Sequence, residues 1–369
     1  MNNLIIPVIG KNMTQAFSDI TAHECEAPKI SIIVLNWNNW RDTLECLQSL
    51  HQIIYPRYDV IIVDNGSTDG SLKKINTYCA DASSARLAFA TSNRHDPVSS
   101  ARPGSNRKDA EFKQTKEDGF ETTKITVIRN EENYGYAEGN NVGIRCALKR
   151  GSDAVVLLNN DTVVHPEFLT ELVKASMTRE SAGFFGPKIY YYDDNGRKDV
   201  ISFTGGEFSM LTGRGRAIGK HEVDIGQYDA IREVDYVEGS CMLVKTHVID
   251  EIGLLDPVFF AYWEDRDWCA RGKYHGYASV YVPNAKIWHK TCASNVESAN
   301  IYYMTRNRFW FMKKHASPTG YRLSVLYFFL WPFWHISASK VFYRRSVLSL
   351  RQFWLGVFHG LRPEKAQTL

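Results

Sequence analysis

The sequence predicts an α/β fold, a mostly parallel central sheet with helices on both faces. Three observations predict it. Apolar runs recur along the chain and are continuous rather than alternating, as strands buried on both faces require. Segments with helical spacing separate them, the order that builds a parallel sheet. Several runs end abruptly in Asn or Asp, which places polar groups at the carboxyl edge of the sheet.

The first strand is Ile30–Leu35 in "KISIIVLNWNNW", ending at Asn36. "DTLECLQSL" follows, with Leu44, Leu47 and Leu50 at helical spacing and Asp42 or Thr43 as the expected N-cap. "YDVIIVDNGSTDGS" holds a second strand, Val60–Val63, ending at Asp64. Lys124–Asn130 reads as a third strand. "EGNNVGIRCALKRG" reads as a helix closed by Gly151, and "DAVVLLNND" as a fourth strand. Residues 81–124 interrupt this order with a polar stretch, expected to be a mobile insertion. The segment from Glu238 to Tyr277 begins with a helix-like stretch. The expected division is an extension over 1–28, a catalytic domain over 29–315 and a helical tail over 316–369.

At 369 residues the chain has room for one large domain or two ordinary ones. The seven cysteines (Cys25, Cys46, Cys79, Cys146, Cys241, Cys269, Cys292) show no CxxC spacing. They read as reduced, mostly buried thiols, and a zinc site is not expected. "LIIPVIG" is short and no basic residue precedes it, so no secretory signal is expected and a cytoplasmic chain is.

Open α/β sheets bind ligands outside the carboxyl ends of their strands. Here those ends read Asn36, Asp64 and Asn159-Asn160-Asp161. Each alone is ordinary turn chemistry, but together they place polar, metal-capable groups on one edge. In "FFAYWEDRDW", Glu264, Asp265 and Asp267 crowd among aromatics. Such carboxylates need a helix N-terminus, a cation or a catalytic task. His289 follows a short apolar strand. With Asp161 as a hard oxygen ligand, one carboxylate, one imidazole and two phosphates would suit Mn²⁺ or Mg²⁺.

These stretches, in order, resemble the family 2 inverting glycosyltransferases. The matches are "SIIVLNWNN", "VIIVDNGSTDGS", "NYGYAEGNNVGI", "VVLLNNDT", "GFFGPKIYYYDD", "GSCMLVK", "GLLDPVFFAYWEDRDWCARGKYHGY", "IWHK" and "YYMTRNRFWF". Within that family the chain is similar to the rhamnosyltransferase-type branch that builds bacterial surface polysaccharides. The resemblance implies a GT-A fold (Rossmann-like), a nucleotide-sugar donor, a lipid-linked or glycan acceptor and a divalent metal. It places Asn36 and Asp64 at the nucleotide, and Asn140 and Asn141 near the diphosphate. Asp161 matches the last acid of the family's DxD motif and Asn159 stands where its first acid belongs. Asp265 matches the catalytic base with Glu264 beside it, and His289 matches the histidine that completes the metal site. Arg306 and Asn307 match a family "RN" of unassigned role. A single displacement by one base implies inversion; retention would need Glu264 or Asp267 as nucleophile. dTDP-rhamnose is the donor implied by the branch.

Residues 301–369 carry eleven Lys and Arg against one acid, Glu364, in a chain whose net charge is +3. That asymmetry points to an anionic partner. In "FYRRSVLSLRQFWLGVFHGL", Val347, Leu350, Phe353/Trp354 and Val357/Phe358 have helical spacing, with Arg344, Arg345 and Arg351 nearby. An amphipathic surface over 320–369, lying peripherally on the anionic inner face of the plasma membrane, is expected. Alternatively, these aromatics pack on the catalytic domain. No nucleic-acid motif accompanies the charge, so no nucleic-acid partner is expected. A pyrophosphorylase is disfavoured because "LNWNNW" replaces a Gly-rich phosphate loop. A nucleotide-sugar-binding or scaffold protein without catalysis is the other alternative, which Asn159 favours.

Overall fold

The computed structural model describes residues 27–81, 87–92, 124–290, 297–343 and 346–362. Among them the strands are β1 (Ile30–Asn36), β2 (Tyr58–Asp64), β3 (Leu87–Ser92), β4 (Lys124–Asn130), β5 (Ala154–Asn159), β6 (Thr162–Val164) and β7 (Ala182–Tyr191). They continue as β8 (Ile201–Phe203), β9 (Gly206–Ser209), β10 (Arg214–Ala217), β11 (Arg232–Val234), β12 (Cys241–Lys245) and β13 (Ala278–His289). The helices are α1 (Trp40–Leu50), α2 (Ser71–Asp81), α3 (Gly135–Lys149), α4 (Phe168–Met177), α5 (Thr246–Ile252), α6 (Glu264–Tyr274), α7 (Glu297–His315), α8 (Pro318–Leu330), α9 (Pro332–Ala338) and α10 (Val347–Leu361).

One sheet runs in the order β11-β13-β7-β12-β5-β1-β2-β4-β3, with β6 beside β13 and β8 beside β7. The block from β5 to β3 is parallel throughout. Its strands are the apolar runs, and Ile32, Ile33, Val34, Ile61, Ile62, Val155 and Val156 are wholly buried between helices. Register aligns Asn36 with Asp64 and Leu35 with Asn159, so the polar strand ends share one edge.

The expected elements appear with adjusted ends. Helix α1 begins at Trp40 after Asn39, two residues before the expected cap, and the Asn39 amide donates to Asp42 (2.7 Å). Helix α3 ends before Gly151, whose φ of +69° turns the chain into β5. "CMLVK" is not helical: it forms β12, antiparallel between β5 and β7, and the helix-like pattern starts at Thr246. Residues 87–92 of the expected insertion form β3, parallel to β4 at the sheet edge. Residues 82–86 and 93–123 lie outside the described residues.

The described cysteines Cys46, Cys79, Cys146, Cys241 and Cys269 are free thiols, and burial pushes Cys46 up to about 12. Cys25 and Cys292 lie outside the described residues. Among the described helices, none is long and apolar enough to cross a membrane.

Candidate active site

The polar edge is built as a hydrogen-bonded lattice. Asn36 at the end of β1 donates to Asp64 at the end of β2 (2.8 Å) and to Ser67 (3.1 Å). Asp64 also accepts from the Ser67 N–H (3.2 Å). Thr43 donates to Asn36 (2.9 Å), and Asn160 donates to Thr43 (2.9 Å). Asn36 and Asp64 are therefore fully buried and brace the loops that follow β1 and β2.

Asn140 and Asn141, on α3, face inward. Asn140 donates to the Tyr136 carbonyl one turn earlier (2.9 Å). Asn141 donates to Glu138 and to the Leu255 carbonyl (2.9 Å each) and accepts from the Leu255 N–H (3.1 Å). Its carbonyl and one amide hydrogen fix Leu255, ahead of α6, while the other hydrogen is engaged by Glu138 of its own helix.

Asp161 and His289 meet across the end of β13. The His289 Nε2 lies 3.1 Å from Asp161 Oδ1 and 3.5 Å from the Asn159 amide nitrogen. Burial works against both charges, but their mutual hydrogen bond and attraction prevail. The carboxyl is held below its ordinary range and the imidazole above its own. His289 Nδ1 is buried without a partner. Among the described residues no three His, Cys, Asp or Glu are grouped to hold a metal. The pair places one carboxylate oxygen and one imidazole nitrogen side by side, donor types that a divalent cation accepts once the imidazole is neutral. Lys290, which follows, reaches back to Asp42 (2.5 Å) and Glu45 (2.6 Å) on α1 and locks β13 against the edge.

Helix α6 delivers the acids. Asp265 in its first turn is half-buried and accepts from the Gly239 N–H (3.2 Å) and the Arg266 N–H (2.7 Å). Glu264 points into the protein. Burial, reinforced by the Asp265 charge, pushes its carboxyl well above the carboxylate range, and its Oε2 has no partner. Asp267 is spent otherwise. Wholly buried, it binds Arg271 (2.9 Å), Lys314 (2.8 Å) and His315 (2.7 Å), tying α6 to α7. A role for Asp267 as a second nucleophile is therefore withdrawn.

Glu238, on the loop before β12, had no role in the sequence reading. Burial and the Asp265 charge raise its carboxyl, while His289 and Arg266 oppose this. The next two residues link the β13 end to the α6 start: the Gly239 N–H donates to Asp265 (3.2 Å), and the Ser240 carbonyl accepts from the N–H of Asn159 (2.9 Å), whose amide stands beside His289. The only sequence signal of Glu238 is position, just before Gly239.

Comparison with known proteins agrees with this layout. A family model described as "Glycosyltransferase like family 2" matches residues 103–309, and one described as "Glycosyl transferase family 2" matches 31–102. The dTDP-rhamnosyl transferase RfbF of Shigella flexneri is 26% identical over 216 residues, 53% of this chain and 65% of that protein. An N-acetylglucosaminyl-diphospho-decaprenol L-rhamnosyltransferase of Mycobacterium tuberculosis is 40% identical over 58 residues, 16% of this chain and 19% of its own. The matches thus span less than two thirds of either relative. The mannosyltransferase PcManGT of Pyrobaculum calidifontis, solved with GDP-Man and Mn²⁺, superposes with a TM-score of 0.52 at 12% identity, over 92% of this chain and 89% of that one. The architecture is the GT-A fold, and since the first family model alone matches more than half of the sequence, this chain belongs to glycosyltransferase family 2.

Proposed function

We propose that the chain is an inverting glycosyltransferase that moves a sugar from a nucleotide-diphosphate donor to a hydroxyl of a cell-surface glycan or its lipid-linked precursor. The observation that carries this is Asp265, the half-buried carboxylate of α6, which the Gly239-Ser240 backbone joins to Asn159 and so to Asp161 and His289. Two backbone N–H groups orient its carboxylate. As the acceptor oxygen bonds to the anomeric carbon, its proton passes to Asp265 and the nucleotide diphosphate leaves from the opposite side. With Glu264 buried and Asp267 consumed, no second carboxylate of α6 is offered as nucleophile, which favours inversion over retention.

Asp161 and His289 would hold Mn²⁺ or Mg²⁺, with Asn159 beside them; the cation's contribution is charge stabilisation of the departing diphosphate. Asn36, Asp64 and Asn140 would frame the nucleotide end. The donor we favour is dTDP-rhamnose, on the similarity to rhamnosyltransferases. We place the protein on the cytoplasmic face of an anionic membrane, with the basic tail toward it.

The test is a donor screen. Full chain, Mn²⁺ or Mg²⁺ and a panel of UDP-, dTDP- and GDP-sugars are followed for release of nucleotide diphosphate, with crude lipid-linked acceptor. Release from one donor is expected, lowered about 10²–10⁴-fold by Asp265→Asn with nucleotide binding retained. Binding of a nucleotide sugar without turnover under every condition would instead favour a catalytically silent binding protein, the reading that Asn159 supports.

A further inference from the structure

The loop that leads into α6 carries unusual backbone. Phe260, Tyr262 and Trp263 have φ of 63°, 67° and 78°, the left-handed region that bulky side chains avoid. Each such residue is strained and persists only where its surroundings over-determine it. The strain sits immediately before Glu264 and Asp265, so whatever holds this loop also sets the first turn of α6.

Two adjacent residues of α7 hold it. The two hydrogens of the Asn307 amide nitrogen are shared among the carbonyls of Phe259 (2.8 Å), Ala261 (2.9 Å) and Tyr262 (2.7 Å). The Arg306 guanidinium donates to the carbonyls of Val258 and Phe259 (3.0 Å each). Its Nε donates to Asn307 Oδ1 (2.8 Å), which turns the Asn307 nitrogen toward the loop. The pair is nearly inaccessible, at 1% and 0% exposure. None of the described partners of Arg306 is a carboxylate. Loop carbonyls and the rings of Tyr303 (4.8 Å) and Trp310 (4.0 Å) face its charge instead. A buried cation without an anion is expensive, and burial accordingly lowers its pKa. Apolar residues would pack the same space more cheaply, so the pair is explained by the carbonyls it collects.

The other side of the loop is also pinned. The Ala137 N–H of α3 donates to the Phe260 carbonyl (3.1 Å), and the Phe260 ring stacks on Tyr303 at 5.0 Å. Gly135 has φ +79°, and a Cβ there would lie 2.6 Å from Phe260. The Trp263 indole donates to the Met304 carbonyl (3.1 Å).

We propose that Arg306 and Asn307 are positioning residues: together they clamp the strained 258–263 backbone and so fix where the Asp265 carboxylate stands. Asp265 acting as the base rests on the reading given above, whereas the clamp itself does not.

The experiment compares the full chain with Asn307→Leu, close in volume but without donors, and with Arg306→Lys, which keeps the charge and loses the fork. Hydrogen exchange is read on peptides over 258–268 and over β1 and β5. Nucleotide diphosphate binding is read by calorimetry, and turnover by nucleotide release. Expected for Asn307→Leu is at least tenfold faster exchange at 258–265, with exchange in β1 and β5 and the binding stoichiometry as in the parent. Turnover falls about 100-fold, as for a base displaced by about an ångström; Arg306→Lys lies between. Unchanged local exchange in a folded variant would overturn the proposal, as would exchange rising equally across the sheet. If Asn307→Leu does not fold, Arg306→Lys is judged by the same readings. Faster local exchange in a protein whose parent turns over no donor would remove the transferase reading and leave the clamp standing.

Discussion

Glu264 lies beneath the start of α6 while Asp265, its neighbour, faces the site, and this difference makes a pH prediction. In the unfolded chain Glu264 ionises near its ordinary 4.5; in the folded chain burial and the Asp265 charge keep it protonated to higher pH. The folded state then binds more protons than the unfolded one in that window. The favourable contribution is fully present below about pH 4.5 and is lost as pH rises toward the folded-state value. Glu264→Gln has no proton to lose. Its stability relative to the parent should therefore increase as pH rises above about 5, with a limiting slope of about 1.4 kcal/mol per pH unit while Glu264 stays protonated in the fold. Chemical denaturation at several pH values measures this, and parallel curves would mean that Glu264 is charged in the folded protein. The family resemblance singles out Asp265 over Glu264, but the residues themselves could not tell the two acids apart, because burial is a property of the packed loop. Asn307 was less legible still: its partners are carbonyls more than forty residues earlier in the chain, and no side-chain pattern encodes them.

At the scale of elements, the strands that read clearly include those with both faces buried: β1, β2 and β5 carry apolar runs of four or five residues, whereas β4, KITVIRN, is interrupted by Thr126 and Arg129. Strand β12 was missed because "CMLVK" passes into "THVIDEI" without a turn residue, and a short apolar run fits either period. Strands β8 to β11 have three or four residues each, too few to show any period. Helix α3 supplies the second prediction. The resemblance to family 2 puts Asn141 near a diphosphate, yet its amide clasps Leu255 and Glu138. Asn141→Ala would orphan the buried N–H and carbonyl of Leu255, at about 1–3 kcal/mol each. A folded-state role predicts a fall in the denaturation midpoint of the nucleotide-free protein. A diphosphate contact predicts weaker nucleotide binding at unchanged stability. The hydrogen bonds favour the first outcome.

At the scale of the whole molecule, the expectation that tail aromatics pack on the catalytic domain is met by part of the tail, and the membrane contact is a prediction for the rest. Phe353 and Val357 of α10 turn inward and pack with Phe309 and Phe328. Gly356 and Gly360 bring α10 against α7: a Cβ at Gly356 would meet the Tyr302 carbonyl at 2.8 Å, and one at Gly360 the Phe309 ring at 2.6 Å. That contact covers the turn bearing Arg306. Deleting the tail would therefore disturb the clamp along with any surface role, so the surface is better tested by substitution. Leu330, Trp331, Trp334, Trp354 and Phe358 are exposed, Trp331 by 65% and Trp334 by 64%. Arg351 and Arg362 are exposed on the same tail, whereas Arg344 and Arg345 lie outside the described residues. Large exposed aromatics beside cations suit an anionic lipid surface, where rings enter the interface and arginines meet headgroups. We expect the full chain to float with vesicles containing anionic lipid, less with neutral ones, and less again at about 1 M salt, where the screening length falls to roughly 3 Å. Trp331→Ser with Trp334→Ser should reduce flotation without altering thermal stability, since neither ring is buried in the fold. Flotation equal to that of the parent would remove the aromatic surface from membrane binding. Loss of flotation in high salt alone would then assign the interaction to the basic residues.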